Sequence, residues 1–149
     1  MNDFRKRPKD NYIQEADWQK LSVLSEQWKS DLMFYTDDLR FLHHIIDKYF
    51  LWISKKEHIT RVQEIEANLI VIGEKCNLLL ERINLRLAQL KEDPFRYDPH
   101  QFREEQETLE NDLAQFLIDF RKNREEVFKV TEYLIEGEEL VLKLHNISQ

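Results

Sequence analysis

Two glycines and three prolines in 149 residues leave this chain few places to turn. A β-sandwich or barrel needs many such positions, so the scarcity speaks against an all-β fold. Cysteine is as rare. Cys76 stands alone, and one thiol cannot close an internal disulfide. Long apolar runs are missing too: the longest, Tyr49 to Ile53, is about a quarter of what a bilayer-crossing helix requires. The opening stretch Met1 to Arg7 is followed by no apolar region, so the reading carries no secretory signal. Phosphate-binding glycine loops, nucleophile elbows and zinc-type cysteine pairs are also absent from the sequence. These absences lead to the expectation of a non-enzymatic, cytoplasmic protein without a cofactor.

What is present is charge laid over a sufficient apolar fraction. Hydrophobic residues make up 42%, charged residues 34%, and the net charge is -7. That pairing suits one helical domain, residues 1–149, with a wide solvated surface. Residues 1–10 hold 4 basic and 2 acidic side chains, and read as a mobile basic arm. Residues 99–149 hold 6 basic and 12 acidic, so the acidic excess is greatest in the last third. An acidic surface repels phosphate backbones and anionic lipid, which argues against nucleic acid and membrane as partners.

Three segments repeat their apolar residues at helical spacing. The first runs Trp18, Leu21, Ser25, Trp28, Leu32, Tyr35, Leu39, Leu42, Ile46, Tyr49, with Ser25 its one polar member. The second runs Val62, Ile65, Leu69, Ile72, Cys76, Leu79, Ile83, Arg86, Leu90, with Arg86 out of pattern. The third runs from Phe102 to Leu144, interrupted by Gln106, Asn123 and Gly137. Spacings that alternate between three and four are a heptad signature, and strands, whose period is two, do not produce them. The spacing predicts helices over 12–51, 55–92 and 99–145.

End signals agree. Asn11 with Gln14, Ser54 with Glu57, and Asp98 with Gln101 each have capping-box spacing, and Tyr97 with Phe102 matches a hydrophobic staple. Pro99 suits a first helical position, and Pro94 stops the helix before it. Short connections make successive helices antiparallel neighbours. The expected fold class is therefore all-α: an elongated antiparallel three-helix bundle with coiled-coil-like packing. Residues 18–52 hold eight aromatic side chains and the second segment none, so large rings are set to interleave with aliphatic positions. The layout resembles spectrin-like three-helix bundles in architecture, with no residue motif matched, and such a likeness assigns no function.

Candidate functional residues fall into four groups. Leu140, Val141, Leu142 and Leu144 lie near the end of the longest helix, where an overhang would expose them. Phe34 and Phe41 lie off the main seam of the first helix. Together these six suggest contacts with protein, foremost a second copy in a homodimer. His43 and Asp47 are one helical turn apart, and His58 and Glu132 should lie at a similar height on the other helices, an arrangement from which a metal site could be assembled. A small-ligand carrier with an aromatic-lined pocket along the first helix is a further alternative. Finally, Arg86, with Arg82 one turn away, should face Glu104, Glu105 and Glu107 in an ion-pair cluster, and Asn123 should act as a second register-setting polar residue. Cys76, on the seam, reads as a buried small hydrophobe.

Overall fold

Asp17 divides the first predicted helix in two. Its carboxylate accepts from the Lys20 amide at 2.8 Å, while its own carbonyl accepts from Leu21. That is an N-cap, and it starts a new helix at Trp18. In a computed structural model, the backbone is described for residues 12–50, 56–92 and 96–147, and the side chains for 12–50, 58–92 and 96–133. The chain is all-α, with four helices among the described residues: α1 (Tyr12–Glu15), α2 (Trp18–Phe50), α3 (Lys56–Lys91) and α4 (Pro99–Ile147). The prediction of a single helix over 12–51 is thus corrected to a short α1 and a long α2. The expected caps at Asn11 and Ser54 and the basic arm 1–10 lie outside the described residues.

The break is held open from across the molecule. Arg103 of α4 donates to the carbonyls of Ile13 at 2.7 Å and Ala16 at 2.5 Å, and its guanidinium lies over the Trp18 ring. Carbonyls at a helix C-terminus lack partners of their own, and Nη1 of Arg103 meets both with its two N–H groups. Ile13 and Ala16 are buried beneath this clamp.

The start of α4 follows its sequence signals. Asp98 caps it by accepting from the His100 amide at 3.1 Å, Pro99 opens it, and the Tyr97 and Phe102 rings meet as a staple at 6.3 Å. The reciprocal half of the box is not made, because the Gln101 side chain reaches forward to Glu105 instead. The helix runs through Gly137 without interruption to Ile147, two residues past the predicted end.

The three long helices pack pairwise, α3 running against both α2 and α4. Cross-helix contacts give the levels. Trp18 meets Phe102, Tyr35 meets Phe116 and Phe120, and Asp38 meets Arg124, so α2 and α4 climb together. Arg86 meets Glu105, Arg82 meets Asp112, and Lys75 meets Asp119, so α3 descends beside α4. The buried set on α2 runs Leu21, Ser25, Trp28, Leu32, Tyr35, Leu39, Leu42, Ile46, all members of the predicted stripe. Trp28, Leu79 and Phe116 are buried, one on each of the three long helices. Tyr35 packs edge-on to Phe116 and Phe120 at 5.8 and 4.8 Å, and aliphatic α3 residues complete the layer, so rings and branched chains fill one another's gaps.

Candidate functional site

The polar interruptions of the three apolar stripes converge. Ser25 of α2, Arg86 of α3 and Gln106 of α4 are all buried and meet at one height. Ser25 donates to the Leu21 carbonyl and accepts from the Gln106 amide, both at 2.8 Å. The Gln106 carbonyl accepts from Arg86 Nε at 2.5 Å. The two outer guanidinium nitrogens donate to the Phe102 carbonyl and to Glu105, the latter at 3.0 Å. The guanidinium carbon also sits 3.8 Å from the Phe102 ring centroid, a cation–π contact.

Burial lowers the Arg86 pKa from its ordinary value, and the hydrogen bond and charge of Glu105 work against that fall. The group stays a cation, held from α4 by Phe102, Glu105 and Gln106, and Gln106 carries the network on to Ser25 of α2. A buried charge this well satisfied fixes geometry more than it adds stability. Of the carboxylates expected around Arg86, Glu105 is the partner found. Arg82 turns instead to Asp112 at 2.7 Å on the surface. Asn123 makes no side-chain hydrogen bond to another helix among the described residues: its amide donates to the Asp119 carbonyl of its own helix at 2.8 Å, and its Oδ1 is buried without a partner.

Cys76 is buried, within 3.3 Å of the Thr36 hydroxyl and 3.6 Å of the Leu32 carbonyl. Burial raises its pKa above the ordinary thiol value, and the Thr36 contact only partly offsets this. A protonated thiol in an apolar layer is neither nucleophile nor metal ligand.

His43 is half-buried on α2 and Asp47 is exposed one turn further on. His58 lies edge-on to the Tyr133 ring at 5.0 Å, and Glu132 is exposed on α4. Among the described residues no three His, Cys, Asp or Glu side chains gather closely enough to hold a metal ion. A notch lined by Trp18, Gln89, Leu90, Tyr97 and Phe102 opens at the α1 end, with a free volume of about 10 Å³. That is room for about one water, against the roughly 300 Å³ or more of an ordinary ligand pocket. Beside it, the Tyr97 hydroxyl donates to Glu92 at 2.8 Å, and this bond raises the phenol pKa.

Apolar side chains left in water are the remaining feature. Phe34 and Phe41, one heptad apart on α2, are 54% and 53% exposed. They flank the side of α2 that faces α4, where Asp38 pairs with Arg124 at 3.8 Å and Arg124 covers the Phe128 ring. Leu24 and Ile45, the other off-seam residues of α2, are partly buried against the core. Leu140, Val141, Leu142 and Leu144 belong to α4 by backbone, and their side chains lie outside the described residues. On α3 a further row, Val71, Leu78 and Leu85, is exposed and was not singled out from the sequence. Its seven-residue spacing was the available signal, hidden by the stronger buried stripe of the same helix. No helix among the described residues is long and apolar enough to cross a membrane. Comparison with protein-family models, curated proteins and solved structures finds no match for this chain.

Proposed function

We propose that this chain is a three-helix bundle with heptad packing, α1 being a short spur on it, that works without catalysis, through protein contacts, and forms a homodimer in the cytoplasm. The observation that carries the reading is the pair Phe34 and Phe41. Two large rings, each more than half exposed on one flank of a helix, are poor hydration sites and good anchors. The polar groups of the described core support a structural role, since Arg86, Gln106 and Ser25 satisfy one another and offer no poised acid, base or nucleophile. The cytoplasmic assignment rests on a sequence whose sole cysteine is a buried thiol.

Sedimentation equilibrium tests the reading. The wild type is expected to sediment as a dimer and a Phe34→Asp, Phe41→Asp variant as a monomer. A Leu140→Glu, Leu142→Glu variant asks the same of the α4 end. Wild-type protein that stays monomeric at its highest soluble concentration defeats the proposal.

A further inference from the structure

Val71, Leu78 and Leu85 form a ridge on the outer face of α3. They are 47%, 59% and 61% exposed. At about 100° of turn per residue, all three fall within about 40° of the line opposite the buried Cys76. The ridge spans roughly 21 Å, two heptads, and faces away from both neighbouring helices. Glu74 and Glu81 alternate with its members along the same line. The nearest bases do not neutralise them. Lys75 and Arg82 are turned toward α4, where they meet Asp119 at 3.8 Å and Asp112 at 2.7 Å. Apolar and acidic side chains therefore alternate at heptad spacing, with the apolar set at one seam position and the acid at the other.

That alternation determines what can cover the face. Apolar side chains a heptad apart are what a second helix packs against. A second copy of this chain is a poor occupant: under a two-fold axis, parallel or antiparallel, Glu74 and Glu81 of both copies would line one seam, and four carboxylates would repel as water left. A helix that opposes Glu74 and Glu81 with Lys or Arg removes the repulsion and gains two charge-assisted contacts.

We propose that the outer face of α3 docks a basic amphipathic helix from another protein, with aliphatic residues at one seam position and Lys or Arg at the other. This helix lies along Val71, Leu78 and Leu85 as a further member of the bundle. The proposal goes beyond self-association through Phe34 and Phe41, which lie on a different helix, and the two are separated by variants on different helices.

The probe is a fluorescein-labelled, end-capped three-heptad peptide with Leu at one seam position and Lys at the other, compared with a twin bearing Glu in place of Lys. Fluorescence anisotropy against the full chain should show the Lys peptide bound at least about tenfold more tightly than its twin, with the gap narrowing in high salt. Leu78→Asp, a change at an exposed position, should abolish binding while leaving the thermal melt in place. Glu74→Lys, Glu81→Lys should reverse the preference. Twins that bind alike, or a Leu78→Asp variant that binds the Lys peptide as the wild type does, overturn the proposal. A Leu78→Asp variant whose sedimenting mass falls below that of the wild type also overturns it, because a second copy then covers the face.

Discussion

The middle of the bundle and the layer near α1 solve the same packing problem by opposite means. In the middle, Tyr35, Phe116 and Phe120 interleave with Leu32, Leu69 and Cys76, and the attraction is almost wholly apolar. Near α1, an arginine, a glutamine and a serine occupy the positions that rings and aliphatic chains fill elsewhere. Apolar burial is strong but not directional, so by itself it discriminates less sharply between helix positions one heptad apart. Hydrogen bonds to a guanidinium have fixed angles, and a slide by one heptad would leave Arg86 buried with no partner. One region therefore supplies most of the stability, and the other selects a single register for it.

Substitutions can break this contrast, and the largest effect is expected in the middle. Phe120→Ala should cost about 3–5 kcal/mol in chemical denaturation, through lost burial and the cavity left beside Tyr35. Arg86→Ala comes next, at about 3 kcal/mol, because Gln106 and the Phe102 carbonyl lose their donor inside the core. The more telling variant replaces the whole layer: Ser25→Ala, Arg86→Met, Gln106→Leu. Its stability should lie within about 2 kcal/mol of the wild type, or exceed it, while amide exchange near α1 quickens as the register loosens. A triple variant as unstable as Arg86→Ala alone would show that the layer contributes stability rather than register.

Smaller effects sharpen the picture at its edges. Asp17→Ala removes the cap of α2 and should cost about 1 kcal/mol, read as a lower denaturation midpoint with an unchanged slope. Cys76 should not react with a thiol reagent at mildly alkaline pH until the protein unfolds. Its folded pKa is raised by burial, so the folded state holds the proton more tightly than the unfolded chain. Any stability this contributes is present below the ordinary thiol pKa and is lost as pH rises through the folded value. Labelling as fast as that of an unfolded control would show that the layer opens.

Much of the helical framework was legible, because α3 and α4 begin and end within two residues of their predicted bounds. The split at Ala16 and Asp17 was not. No glycine or proline marks it, and the apolar spacing continues through it. An Asp directly before Trp18 was the local sign, but the decisive contact is Arg103, which arrives from 90 residues beyond Ile13 and 87 beyond Ala16. Arg86 announced itself as a charge on an apolar stripe, and its carboxylate partner lay within the expected stretch. Its bonds to Gln106 and Phe102 were not foreseen, because heights across helices depend on connections whose exact geometry the heptad leaves free. Asn123 carried the same sign as Arg86 and came to nothing across helices, since a short amide can turn back on its own carbonyls.

Heptad spacing by itself determined that the chain is helical and which stripe α2, α3 and the described part of α4 bury, because hiding apolar side chains needs only their angular position. Which polar residues meet, where the first helix breaks, and which faces remain in water were decided by the fold. Each of these depends on distances between segments far apart in the chain, and hydrogen bonds and ion pairs form only within a few ångströms.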